Sequence, residues 1–378
     1  MHFGLGPERG PEPVAAAFLE RALAAAELCG VTRLADITGL DRLGLPVWQA
    51  VRPAGRSLSV HQGKGPSPRA AKIGALCEAI EAHCAESVSA DGPLCKFADL
   101  PQRTRAPEFG DYCKDRNSLP EGVEPIQWCR AADFRTGKPC YLPHLLVSLD
   151  YTKGLPSFFE RTSGGLGAGA TEADAALIAL FEVIERDGVG EWKRLDPAGR
   201  MAASIDPAPI PFEWLQSWRR RFASLGIDLR IYRIPSIVGI PIIMCEIGGL
   251  EEFGPAYRRF SGTAAHGDPE VALFKALAEA IQSRLTLIAG VRDDILPSYY
   301  AQGRPKPPAG GNAPDGGQSW DRLEPFACGL DMIAERLAAL GYRQIAVKRL
   351  DDGLDGVAVT KAFVPGLGSL TRSRRAPA

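Results

Sequence analysis

Apolar residues recur along this chain on two periods, and the switches between them mark its elements. Residues 13–30, PVAAAFLERALAAAELCG, are rich in Ala and Leu and end on Gly30, which predicts a helix with a C-terminal stop. VTRLADITGL, LPVWQAVR and SLSVHQ follow, short partly β-branched runs broken by Gly and Pro, and predict strands of one sheet. LRIYRIP, IVGIPIIMCEIG and QIAVKRL predict further strands. Helical patterns lie between these strand groups and not singly after each strand, so the fold class is α+β and not a doubly wound α/β sheet. Residues 302–319, QGRPKPPAGGNAPDGGQS, are dense in Gly and Pro and predict a loop. DMIAERLAALGYRQIAVKRL then predicts a helix, a glycine stop and a strand. One domain is expected over 1–378, with a loose tail, TRSRRAPA, at 371–378.

Charge and cysteine content narrow the partners. The 44 basic and 45 acidic residues nearly cancel, so no global field draws the chain to nucleic acid or to an anionic membrane. The nine cysteines are odd in number, and none forms a CxxC pair, which points to a reducing cytoplasm. The start, MHFGLGPERGPEP, lacks the basic end and apolar run of a signal peptide, and no segment is apolar over the ~18 residues of a membrane span. A cytoplasmic location is expected.

Three helical segments repeat one signature. GALCEAIEAH carries Glu78 and Glu81, ALFEVIERD carries Glu182 and Glu185, and ALAEAIQSR carries Glu279 and Gln282. Positions i and i+3 share a helix face, so each pair aims two oxygen-bearing groups at one place. Around Glu182 and Glu185 the neighbours Leu177, Ile178, Leu180, Phe181, Val183 and Ile184 leave little polar surface, which puts these carboxylates at a buried edge. Buried carboxylates need a cation. Hard oxygen ligands in pairs suit Mg2+, which takes one or two protein carboxylates and fills its shell with water and phosphate oxygens.

A glycine-rich run precedes the second pair. SGGLGAGAT offers Ser163, Gly165 and Gly169 before a helix starting near Thr171, with Asp174 at capping-box spacing. Glycines let backbone N–H groups approach an anion, and the helix N-terminus adds a favourable dipole. The run is neither a Walker A loop nor a dinucleotide fingerprint. Phosphate contact beside a carboxylate-held metal points to a nucleoside triphosphate. Before the first pair, GKGPSPRAAK sets Lys64 between glycines to meet a phosphate, with Ser67 as N-cap and Pro68 at the first helical position. Gln282 and Arg284 are placed to touch base, ribose or phosphate, and Arg186 to ion-pair within the site. Cys77 and Cys84, and His83, His144 and His266, show no metal spacing and are read as structural.

Taken in order, GKG…EAIE, TSGGLGAG…FEVIERD, AEAIQSR and the closing VTKAFVPGLGSL resemble the YcaO family over roughly residues 30 to 370. The resemblance implies a YcaO-type fold with sheets and packed helices around a central Mg-ATP site, and an enzyme that modifies peptide backbone amides with ATP. It implies that Glu78, Glu81, Glu182 and Glu185 bind Mg2+ with the nucleotide, and that the protein is a homodimer. The region GVTRLADITGLDRLGLPVWQAVRP…RSLSVHQGKG looks like members that work with a TfuA partner and a sulfur donor to form thioamides. Azoline-forming cyclodehydratases of the family, which act on ribosomal peptide natural products, end in a Pro-x-Pro-x-Pro tail, where this chain ends SRRAPA. Members also carry Ser at the place of Gly74 and Asn at that of Gly164, so a non-catalytic peptide-binding scaffold is the third reading. No residue is assigned as the catalytic base.

Overall fold

The computed structural model describes residues 12–115, 124–249, 259–301, 318–327, 329–351 and 353–375. Helix α1 (Glu12–Leu28) ends just before Gly30, whose φ of 80° is left-handed and breaks the helical path. Strands β1 (Arg33–Asp36), β2 (Val47–Val51) and β3 (Val60–Lys64) form an antiparallel three-stranded sheet, as their sequences predict, and lead into α2 (Pro68–Ser87). Next come β4 (Leu94–Cys95), the hairpin β5 (Ile126–Asp133) and β6 (Pro139–Pro143), one turn of helix α3 (His144–Val147), β7 (Leu166–Gly169) and the long α4 (Glu172–Arg194). Helix α5 (Pro197–Ala202), strand β8 (Ser204–Ile205) and helix α6 (Glu213–Ser224) precede the meander β9 (Ile227–Ile234), β10 (Ile242–Gly249) and β11 (Phe260–Ala265), which feeds α7 (Pro269–Ala289). The chain closes through α8 (Pro297–Ala301), α9 (Leu330–Ala339), β12 (Ala346–Arg349) and β13 (Ala358–Phe363).

Among the described residues every pairing between these strands is antiparallel, with one isolated parallel bridge from Ile205 to Gln318, so the α+β reading holds. One sheet runs β11-β10-β9-β8, and a second runs β4-β5-β12-β13-β7 with β6 on the far side of β5. The second sheet joins the middle of the chain to its end, since β13 pairs with β7 from Ala358↔Gly169 to Lys361↔Leu166. Three buried clusters hold the layers together. One packs α6 and α7 on the meander, a second packs α1 and α2 on the larger sheet, and a third wedges α4 against α9.

Two expectations meet different outcomes. The Gly/Pro-rich segment at 302–319 lies outside the described residues except for Gln318 and Ser319. The tail predicted to be loose is held in place through its described part. Arg374 lies 3.2 Å from the fully buried carboxylate of Asp187, and Arg375 donates to Asp111 at 3.2 Å and to Gly341 O at 3.0 Å. The arginines that look like solvated tail charges are counter-ions to buried carboxylates far away in sequence.

Candidate functional site

Three strand-to-helix units build the site, each on a glycine that brings a helix backbone onto a strand. A Cβ on Gly63 of β3 would lie 2.1 Å from Ala71 O, one on Gly167 of β7 2.3 Å from Ala175 O, and one on Gly262 of β11 2.3 Å from Ala276 O. Only glycine permits that approach. The helix starts are fixed by side-chain caps: Ser67 accepts from Ala70 N, Thr171 from Asp174 N, and Asp268 from Glu270 N and Val271 N. In the first two units the glycine, the contacting alanines and the glutamate pair fall at identical spacing along the chain.

The helices enclose a cavity of about 720 Å3, whose wall includes Lys64, Glu78, Glu81, Ser163, Glu182, Arg186, Glu279 and Gln282. It is large enough for a nucleotide-sized ligand. Backbone donors orient two of the carboxylates: Gln62 N donates to Glu78 Oε2 at 2.8 Å, and Gly165 N to Glu182 Oε2 at 3.1 Å. Arg186 donates to Glu182 Oε1 at 3.1 Å and lies 3.8 Å from Glu185 Oε1, while Lys64 Nζ sits 3.2 Å from Glu279 Oε2.

Electrostatically the wall is short of positive charge. Burial, with the charges of Glu182 and Glu78, pushes Glu81 up to about 8. Burial also pushes Glu185 up to about 8, against the pull of Arg186 and with the push of Glu279, and it raises Glu78. Gln62 Nε2 and Gln282 Oε1 are buried in the same wall with no hydrogen-bond partner. Crowded carboxylates together with orphaned amide groups suit a cation and a polar ligand. Among the described residues no three Asp, Glu, His or Cys side chains converge on one point. A Mg2+ ion here would therefore take one or two protein carboxylates and complete its shell from water and phosphate, as its coordination habit allows.

Not every expected contact faces the cavity. Lys64, Ser163, Arg186, Gln282, Glu78, Glu81 and Glu182 do; Glu185 is 8% exposed and stands one layer behind, beside Arg186. Gly165 and Gly169 lie outside the cavity wall. Leu166–Gly169 is a strand, the Gly165 amide is spent on Glu182, and a Cβ on Gly169 would come 2.7 Å from Asp174 Cβ, so these glycines serve close packing outside the cavity wall. Arg284 is also outside the cavity wall and pairs with Asp41 at 2.7 Å. Gly74 has its own packing reason, since its Cβ would press on Gly63 Cα at 3.2 Å.

Sequence reasoning missed His61, Arg161, Thr286 and Arg292, which also line the cavity. Arg292 follows Gly290, whose left-handed φ of 62° ends α7 and folds the chain back across the opening, a placement no motif announces. Of the residues read as structural, burial raises the Cys77 and Cys84 thiols, His144 Nε2 bonds Val88 O, and His266 Nδ1 accepts from Asp268 N. No helix among the described residues is long and apolar enough to cross a membrane.

The family model for YcaO cyclodehydratase, ATP- and Mg2+-binding, matches residues 62–368. An uncharacterized protein in the tfuA 3' region of Rhizobium leguminosarum bv. trifolii is 33% identical over 356 residues, covering 89% of this chain and 84% of that one. An uncharacterized protein of Mycobacterium tuberculosis is 35% identical over 282 residues, and the match spans only 60% of its length. Among solved structures, YcaO from Methanopyrus kandleri bound with AMPPCP and Mg2+ superposes with a TM-score of 0.71 at 21% identity, covering 100% of this chain and 98% of that one. The Escherichia coli microcin synthetase McbBCD complex contains a chain with a TM-score of 0.64 at 16% identity, over 88% of this chain and 87% of that one. With the family model covering most of its length, the chain belongs to the YcaO family of ATP- and Mg2+-binding proteins.

Proposed function

We propose that this protein converts a peptide or protein backbone amide into a thioamide, using ATP, a TfuA-like partner and a sulfur donor. The observation that carries the reading is the relative encoded beside tfuA, which is similar along nearly the whole of both chains. Bound MgATP supplies the phosphoryl group that makes the amide oxygen a leaving group. Hydrosulfide adds to the amide carbon; a C–S bond forms, the C–O bond breaks, and the oxygen leaves as phosphate together with the proton brought by sulfur.

The chain's own residues bind and orient. Glu78, Glu81, Glu182 and Glu185 would hold Mg2+, one or two carboxylates to an ion, with Glu185 also fixing Arg186. Lys64, Ser163 and Arg186 meet phosphates, and Gln282 meets base or ribose with the carbonyl that has no protein partner. An azoline-forming cyclodehydratase is the second reading, favoured by the description of the family model. In that case a neighbouring Cys, Ser or Thr side chain replaces hydrosulfide.

Calorimetric titration of the purified protein with ADP tests the site. Binding that requires Mg2+ and disappears in folded Glu182→Gln is expected; nucleotide binding indifferent to Mg2+ and to that substitution would make the chain a scaffold. The mass of the modified peptide separates the other two readings, since a thioamide gains sulfur for oxygen and an azoline loses water.

A further inference from the structure

A second, smaller cavity lies behind the Thr162–Gly164 segment, divided from the large one by Thr162 and Arg186, which line both. Its volume of about 60 Å3 admits a few waters or one small ion and excludes a nucleotide. Two cations line it without a carboxylate at ion-pair distance among the described residues. Lys361, 2% exposed, donates to Thr162 O at 2.8 Å, and Arg372, 7% exposed, donates its Nε to Leu367 O at 3.0 Å with its guanidinium over the Phe363 ring. Glu160 is the acid in the wall and accepts from Ser369 Oγ at 2.9 Å, while Arg186 is committed to Glu182 and Glu185. Of the residues that line the chamber, Lys361 and Arg372 outnumber Glu160, while Glu182 and Glu81 act on Lys361 from the side of the large cavity. A buried cation gains from a counter-charge in direct contact, and one monovalent anion between Lys361 and Arg372 would supply it.

The remaining wall, with Leu146, Val183 and Phe363, is apolar. Such a wall disfavours phosphate, whose tightly held water it cannot replace, and accepts a soft, polarizable sulfur anion. We propose that this chamber binds hydrosulfide between Lys361 and Arg372 and supplies it across the Thr162–Arg186 partition to the amide in the large cavity. The inference rests on the thioamide reading and names where its nucleophile waits. Gly164 opens the chamber, because its φ is not left-handed and a Cβ there would make only ordinary contacts, 3.5 Å to Thr162 Oγ1 and 3.8 Å to Arg186 Cγ. A larger side chain at 164 therefore fits the backbone and takes its room from the chamber.

Crystals of the full chain soaked in sodium bromide test the site, bromide being a monovalent anion visible by anomalous scattering. A bromide peak between Lys361 and Arg372 is expected, lost in Lys361→Met and in Gly164→Val while both variants still bind MgADP, and displaced by sodium hydrosulfide but not by phosphate. An absent wild-type peak overturns the chamber, and a peak that survives hydrosulfide overturns its occupant. Failure of the thioamide reading is seen elsewhere, in product mass: a dehydrated peptide alongside a bromide-binding chamber removes hydrosulfide delivery and leaves nucleotide binding untouched.

Discussion

Residue by residue, the cavity wall dictates how the protein responds to pH. Glu81 and Glu185 are both pushed to about 8 in the fold, well above the ordinary carboxylate value of 4.5. Between these limits the folded chain holds more protons than the unfolded one on Glu81 and Glu185, which outweighs the one fewer held by buried His61, lowered from 6.5 to about 4, so metal-free stability falls as pH rises through that window. Thermal unfolding at low ionic strength should show Tm decreasing from pH 5 to about 8, and saturating MgADP should flatten that slope by supplying the missing cation. A metal-free Tm that rises over the same range would contradict the crowding of these carboxylates. The glutamate pairs were legible in sequence because i, i+3 spacing is local geometry. The pairing of Arg284 with Asp41 was not legible, because the fold brings Asp41 to it and leaves no local trace.

At the scale of elements, helix starts were legible and strand identity was less so. Ser67 and Thr171 cap their helices as their local chemistry predicts. LGAG, by contrast, has no strand propensity of its own and becomes β7 only because β13 pairs with it. Its glycines are required by the helix that crosses it. Gly167→Ala therefore forces a methyl against Ala175 O and Ala179 N, and α4 must lift. The expected loss is about 1–3 kcal/mol in denaturant unfolding, with weakened MgADP binding as α4 carries Glu182 away from α2. Full stability in that variant would show that the strand and helix are not in backbone contact.

For the whole molecule, the end of the chain is tied to the helix that carries the site. Asp187 is fully buried two residues after Glu185; Gly368 N donates to it at 2.9 Å, and Arg374 is its counter-ion. Arg374→Ala leaves that carboxylate buried without its cation and should cost about 3–5 kcal/mol, measurable by chemical denaturation, with the pair variant Arg374→Met, Asp187→Asn recovering part of the loss. A variant as stable as the wild type would return the tail to the loose state that its composition suggested. The antiparallel α+β architecture was legible from the grouping of strands and helices. The closure of the middle of the chain by its end was not, since it depends on partners almost two hundred residues apart.

The strand glycines have a consequence for how such a site can change over time. With no side chain between β3 and α2 or between β7 and α4, the distance from one glutamate pair to the other is gauged by touching main chains, whose dimensions are the same in every protein. Substitutions at neighbouring positions can then reshape the rim without changing the spacing between the two glutamate pairs. The glycines act as a ruler inherited with the fold.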